Sequence, residues 1–244
     1  MTPRVAVVTG GANGLGEVIV RHLHTEGHRV AVADVDSARA ATLAAELGPN
    51  ARGYPVDVRD REALKALLSA VLTDFGAVHV LVNNAARTQA KPLMDITQED
   101  LDDVMAVNLS GTFYASQIFG AHLAAQGGGR IINLASLAGQ NGGTATGGHY
   151  AASKGAVLAA TKVFARELAP YGVTVNAISP GPQDTPMVRA IIGEDNLDSF
   201  TSRIPLGTLG DPTLIAHMVA LLASPHAATI TGVCWDANGG LHMR

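Results

Sequence analysis

A single cysteine, Cys234, occurs in 244 residues, so no intrachain disulfide can form and a reducing compartment fits best. Its place inside a late strand-like run marks it as core packing, not a nucleophile. No apolar run approaches the ~18 residues that a bilayer span needs, and no membrane partner is expected. The net charge is only −4 and the Lys and Arg residues are scattered, so no basic stripe points to nucleic acid. The pattern Arg4-Val5-Ala6-Val7-Val8 opens a strand at once, which leaves no room for a signal peptide and predicts a cytoplasmic protein. Of nine histidines, His24 and His28 share a helical spacing, but no carboxylate or further histidine completes a metal site, and no metal is expected. Linkers, repeats and low-complexity tracts are missing as well. With 47% hydrophobic residues the chain can bury a full core, and one domain over 1–244 is preferred to two.

What is present is an alternation of short apolar strands with helix-length segments. Strand candidates are Val5–Thr9, Arg29–Ala33, Ala51–Val56, Val78–Asn83, Arg130–Ala135, Val173–Ile178 and Gly232–Asp236. Most are apolar and β-branched, as strands covered on both faces are. Helix candidates lie near 14–26, 37–47, 60–74, 97–125, 150–170 and 212–223. Asp60-Arg61-Glu62 and Thr97-Gln98-Glu99 supply N-terminal caps and first-turn acids, and Pro212 after Asp211 suits a first helical turn. Such alternation predicts parallel βαβ units: an α/β fold with one seven-stranded, mostly parallel sheet and helices on both faces.

Directly after the first strand, Thr9-Gly10-Gly11-Ala12-Asn13-Gly14-Leu15-Gly16 opens a helix. Glycines at 10, 14 and 16 allow a tight turn and close backbone approach to a pyrophosphate, which a helix N-terminus stabilises. The spacing differs from the usual dinucleotide fingerprint; its position between strand and helix gives it weight. No Lys-Ser/Thr follows, so nucleoside triphosphate hydrolysis is not favoured. Asp34 ends the second strand, where a carboxylate can accept both ribose hydroxyls of an adenosine and repels a 2′-phosphate. Asn13 and Val35 stand where Arg or Lys would have neutralised that phosphate, so NAD is predicted over NADP. Asp57-Val58 ends the third strand, within reach of an adenine amino group. Asn83-Asn84-Ala85-Ala86 ends the fourth, where small residues let backbone lie against a cofactor.

Tyr150 and Lys154 are four residues apart on a predicted helix, hence on one face. A phenol titrates near pH ~10, and a neighbouring cation lowers that value. The pair then makes a proton donor and acceptor suited to carbonyl–alcohol interconversion. Ser136, just upstream, is placed to hold the reacting oxygen. Alone, this spacing would read as a helix face with a snorkelling lysine. The glycine turn and Asp34 give it chemistry.

Taken together, TGGANGLG at 9–16, Asp34, Asp57-Val58, NNAA at 83–86, Val107-Asn108-Leu109, Ser136, Tyr150 with Lys154, and Pro180-Gly181 followed by Thr185 resemble the short-chain dehydrogenase/reductase family along essentially the whole chain. The resemblance implies a single Rossmann-type doubly wound domain. It implies Tyr150 as acid/base, Lys154 on the nicotinamide ribose and depressing Tyr150, and Ser136 orienting the substrate oxygen. Asn108 would bend its helix and hold a water in a proton relay. Cofactor contacts would come from Gly10, Asn13, Gly14, Leu15, Asp34, Asp57, Val58, Asn84, Ala85, Tyr150 and Lys154. Pro180, Gly181, Gln183 and Thr185 would embrace the nicotinamide. Ala86 departs from the family's usual Gly, and Asp236-Ala237-Asn238-Gly239-Gly240 from its usual Asp-Gly-Gly.

For the substrate, the segment 185–207 reads as a short helical lid, with Pro186, Met187, Ile191, Ile192, Phe200 and Pro205. Met187, Leu137, Gln140 and His149 are candidates for the pocket wall, although His149 reads equally as a cap of the catalytic helix. Gln140–Gly148 is a pocket mouth or a plain surface loop. No Arg or Lys cluster marks a large anion, with Arg87 or Arg189 offering one contact at most. An NAD-dependent oxidoreductase acting on a secondary alcohol or ketone of modest size is expected. The alternatives are a 3-oxoacyl thioester reductase, against which Asp34 argues, and a non-catalytic NAD-binding regulator. Ala-rich segments 111–125 and 155–168 fit either a homodimer or homotetramer interface or packing within the chain.

Overall fold

The computed structural model describes residues 3–143, 146–185, 188–189 and 192–243. Seven strands, β1 (Val5–Thr9), β2 (Arg29–Asp34), β3 (Ala51–Pro55), β4 (Val80–Asn83), β5 (Gly129–Leu134), β6 (Val173–Pro180) and β7 (Cys234–Ala237), form one sheet. Their order is β3-β2-β1-β4-β5-β6-β7. Every pairing among the described residues is parallel, where the sequence predicted mostly parallel. The chain direction of the sheet's growth reverses between β1 and β4, which opens a crevice at the carboxyl ends of the strands.

Along β1 the pleat sends alternate side chains to opposite faces. Ala6 and Val8 join one core layer with Ile19 and Leu23 of α1 (Gly14–Thr25), Leu43 of α2 (Ser37–Leu47) and, from a late helix, Ile215 and Leu222. Val5 and Val7 join the other, with Leu64 and Val71 of α3 (Arg61–Phe75) and, beyond it, Phe119 and Leu123. Strands buried on both faces explain the unbroken apolar runs in the sequence.

The segment predicted as one helix over 97–125 is a helix with an insertion. It runs as α4 (Gln98–Met105), a π-helical turn (Ala106–Gly111) and α5 (Thr112–Ala125). Its start is set by Thr97, whose side chain accepts from Asp100 N while Asp100 answers at the Thr97 backbone. After β5 come α6 (Ala138–Asn141) and α7 (Gly148–Leu168), the latter beginning two residues before the predicted start. Of the expected lid, a 3₁₀ turn at Glu194–Asn196 and the short α8 (Leu197–Thr201) are described; Pro186, Met187 and Ile191 lie outside the described residues. The late helix is α9 (Pro212–Ala223).

The alanines of α5 and α7 divide. Ala115 and Ala165 are buried in the core between these helices and the sheet, whereas Ala121 and Ala159 are exposed. No described helix is long and apolar enough to cross a membrane.

Candidate active site

Because all strands point the same way, most of the predicted site residues follow the carboxyl ends of the strands. Gly10 and Gly14 hold φ of 60° and 54°, a region that favours glycine. A Cβ on Gly10 would stand 2.7 Å from Ala85 Cα, and one on Gly16 would run into the Gly10 carbonyl oxygen. Asn84 Nδ2 donates to the carbonyls of Thr9 (3.1 Å) and Gly10 (2.8 Å). Thr9 Oγ1 in turn accepts from the backbone N–H groups of Asn84 and Ala85, both at 3.2 Å. The loops after β1 and β4 are thereby laced together. Thr9, missed in the sequence reading, is buried at the knot; its position at the end of β1, before the glycines, was the available signal.

Asp36, Asp60, Thr97 and Asp211 cap α2, α3, α4 and α9 with their side chains, but Asn13 gives α1 no such bond. Among the described residues, the first-turn N–H groups of α1, including those of Leu15 and Gly16, have no side-chain cap, which suits an anion. Asp34 accepts from Ala12 N through Oδ2 (3.0 Å) and from Asp36 N through Oδ1 (3.0 Å), which pins its carboxylate to the rim of the glycine loop. The nearby cation of α2, Arg39, is paired with Glu17 at 2.8 Å. A cradle closed to side chains, an uncapped helix start and a fixed carboxylate fit the pyrophosphate and adenosine ribose of a dinucleotide. At the end of β3, Arg59 takes the Asp57 carboxylate with Nε (3.0 Å to either oxygen) and Nη2 (2.6 Å), so the expected adenine acceptor already has a partner. Val58 is buried against Gly111, where a Cβ would sit 2.7 Å from Val58 Cγ2.

The catalytic candidates converge from β5, α7 and the π-helical turn. Ser136 follows β5, and its Oγ accepts from Ala138 N at 3.1 Å, which fixes the hydroxyl at the start of α6. Lys154 is buried, with Nζ donating to the Leu134 carbonyl at 2.6 Å and lying 5.8 Å from the centre of the Tyr150 ring. Burial lowers the ammonium to about 8. Burial also raises the Tyr150 phenol, and the hydrogen bond with the Ser136 hydroxyl opposes that rise only in part. The expectation that Lys154 depresses Tyr150 is therefore corrected: desolvation dominates, and the cation is turned to a strand carbonyl.

Asn108 is fully buried in the π-helical turn. Its Nδ2 donates to Arg87 O (2.9 Å) and Ser153 Oγ (3.0 Å), while its Oδ1 accepts from Arg87 N (2.7 Å). Ser153 Oγ donates to the Tyr150 carbonyl at 2.7 Å. Ser153 was also missed, although its place one residue before Lys154 put it on the adjoining stripe of α7. Both Nδ2 hydrogens of Asn108 are taken, which leaves its Oδ1 and the backbone carbonyls of the turn as acceptors for the water expected there.

Pro180 and Gly181 close the far side: Leu137 N donates to Pro180 O at 3.0 Å, and Gly181 N to Ala237 O at 2.9 Å. Gln183 tucks its amide back onto Gly181 O (3.0 Å) and its backbone bridges to Gly210. Thr185 Oγ1 accepts from Val188 N at 3.3 Å.

Residues 10–242 match the family model described as enoyl-(acyl carrier protein) reductase. A 3-oxoacyl-(acyl-carrier-protein) reductase of Vibrio cholerae is 39% identical, over 98% of both chains. A 4-formylbenzenesulfonate dehydrogenase of Comamonas testosteroni is also 39% identical, over 100% of this chain and 99% of that one. Among solved structures, a 3-ketoacyl-(acyl-carrier-protein) reductase from Brucella melitensis complexed with NADH superposes with a TM-score of 0.90 at 31% identity, covering 98% of each chain.

Proposed function

The chain belongs to the short-chain dehydrogenase/reductase family of oxidoreductases, and from that premise we propose that it reduces a 3-oxoacyl thioester to the 3-hydroxyacyl thioester with NADH. The observation that carries this reading is the Ser136–Tyr150 hydroxyl pair beside buried Lys154, in one chain with the glycine cradle at the end of β1. A 3-oxo group is a ketone, so the expected ketone chemistry is kept and its substrate class narrowed. Asp34 had counted against thioester reduction because of its preference for NAD; that a similar 3-ketoacyl reductase is complexed with NADH weighs against that objection.

When bound, the nicotinamide supplies a hydride to the carbonyl carbon. Everything else falls to this chain. Ser136 hydrogen-bonds the ketone oxygen and Tyr150 donates its proton to that oxygen as charge develops there. A phenol raised by burial keeps its proton at neutral pH, which suits the acid role in reduction. Lys154 holds the nicotinamide ribose, and the π-helical turn at Asn108 offers carbonyls to a water that returns the proton from solvent. Gly10, Asn13, Gly14 and Leu15 take the pyrophosphate, Asp34 the adenosine ribose, and Asp57 with Val58 the adenine. Asn84 and Ala85 back the cofactor, and the backbone from Pro180 through Thr185 borders the nicotinamide, with 185–207 as lid. The single cysteine fits a cytoplasmic setting, and the exposed Ala121 and Ala159 fit a homodimer or homotetramer.

Oxidation of a small alcohol with NAD is the second reading, favoured by Asp34 and by the similar dehydrogenase of Comamonas testosteroni. Loss of reduced-nicotinamide absorbance with acetoacetyl-coenzyme A, compared with simple ketones and with alcohols plus NAD, decides between them. NADH binding without turnover across that panel would overturn both readings.

A further inference from the structure

We propose that His149 is a positioning residue, which ties the loop after β4 to the catalytic helix by bonding the Gln89 carbonyl as that loop closes on the ketone. His149 is 2% exposed, yet neither ring nitrogen has a hydrogen-bond partner among the described residues. Buried polar atoms are rarely left so, and such an atom beside a catalytic group calls for a partner in another state of the site. The geometry names that partner. A Cβ on Gly147 would stand 2.5 Å from His149 Nδ1 and 2.6 Å from the Gln89 carbonyl oxygen, so both crowd the same point beside Gly147, which has no room for a methyl. A neutral imidazole carries one N–H, and a small inward movement of the loop brings that donor to the carbonyl.

The loop is held on either side of Gln89. Asn108 grips the Arg87 peptide at both its N–H and its carbonyl, and Leu93 lies against Gly148, where a Cβ would sit 2.6 Å from Leu93 Cδ1. Between these anchors the backbone has no regular structure. One turn along α7 from His149, Ser153 bonds both Asn108 and the Tyr150 carbonyl. His149 and Ser153 therefore form the stripe of α7 that faces the loop, while Tyr150 and Lys154 form the stripe that faces the reaction. Because the loop begins at Asn84-Ala85, its closure sets the wall against which the substrate rests.

This inference rests on the ketone binding beside that loop. The test compares wild type, His149→Phe, which keeps the ring but has no N–H, and His149→Gln, which keeps a donor. His149→Phe is expected to raise KM for acetoacetyl-coenzyme A about tenfold with kcat within about twofold, and His149→Gln to recover most of the loss. NADH affinity by fluorescence titration should be unchanged in all three. Amide hydrogen exchange over 86–93 in the NADH-loaded chain should slow on adding the thioester in wild type and stay fast in His149→Phe. Equal KM in wild type and His149→Phe, or a His149→Gln no better than His149→Phe, overturns the proposal. If His149→Phe does not fold, wild-type exchange that is indifferent to the thioester overturns it instead. A wild type that binds NADH and protects the loop on adding the thioester but reduces none of it would sink the reductase reading and leave the latch standing.

Discussion

Lys154 aims its ammonium at the Leu134 carbonyl, 2.6 Å away, and only flanks Tyr150, whose ring centre is 5.8 Å off. The strand thus fixes the cation, and burial decides the protonation of both groups: Tyr150 is pushed up and Lys154 down to about 8. A proton donor is ready at neutral pH; a proton acceptor is not. Reduction of the ketone should hold level through neutral pH and fall only as Tyr150 loses its proton at high pH. Oxidation of the 3-hydroxy product should climb over the same range. Profiles of kcat/KM against pH in the two directions test this, and parallel slopes would refute it.

Replacing the phenol isolates its chemistry. Tyr150→Phe keeps the ring and its packing, so the variant should fold and bind NADH as wild type does. Turnover should fall by about 10²–10⁴, the range general acid catalysis supplies. Near-normal turnover in a folded Tyr150→Phe protein would remove Tyr150 from the mechanism.

Lys154 also leaves a mark on stability, because its folded value is depressed from 10.5 to about 8. Below pH 8 the group is charged in both folded and unfolded chains, and the full cost of burying the charge is present. Between pH 8 and 10.5 the folded protein has released this proton while the unfolded chain still binds it, so stability rises with pH across that window. The whole change is about 3 kcal/mol, taken from the size of the shift. Lys154→Met should therefore be the more stable protein near neutrality, although inactive, and its lead should shrink as pH climbs to 10.5. Denaturant unfolding of both proteins at a series of pH values measures the difference.

The sheet was readable from the chain because its strands are covered on both faces, which leaves apolar runs such as Val5–Val8 and Val30–Ala33 with no polar alternation to confuse them. The cradle was readable because Gly10 and Gly14 take left-handed φ values and Gly10 and Gly16 have no room for a Cβ, demands that glycine meets best. What escaped depends on tertiary contact. The resemblance implied a bend at Asn108, but its form, a π-helical turn whose Asn108 side chain holds the backbone of another loop, is recorded by no periodicity within 97–125. The clamp of Arg59 on Asp57, and the direction of the Tyr150 shift, likewise depend on where neighbouring side chains settle and how much water they exclude.

Cofactor choice should turn on Asp34 and its neighbour. The Asp34 carboxylate is anchored by Ala12 N and Asp36 N, so it cannot swing away from a 2′-phosphate, and Arg39 is already paired with Glu17. Asp34→Asn removes the charge and keeps a side-chain acceptor. It should weaken NADH about tenfold and narrow the preference over NADPH; Val35→Arg added to it should reverse the preference. Dissociation constants for the two reduced cofactors, taken by fluorescence titration, give the ratio. A ratio unmoved by both changes would mean that another group reads the ribose.

Gly16 offers the sharpest separation of binding from folding. Its missing side chain leaves room for the Gly10 carbonyl and for Asn84 Nδ2, which a Cβ would approach to 2.6 Å. Both neighbours belong to the knot that joins the loops after β1 and β4, and the carbonyl, being backbone, cannot rotate aside. Gly16→Ala must therefore push the glycine loop off its seat, while the strands and the two core layers below are untouched. NADH affinity should fall at least about tenfold, with far-ultraviolet circular dichroism unchanged. An alanine there that binds NADH as well as glycine would show that the loop has slack, and that the cradle is not what holds the pyrophosphate.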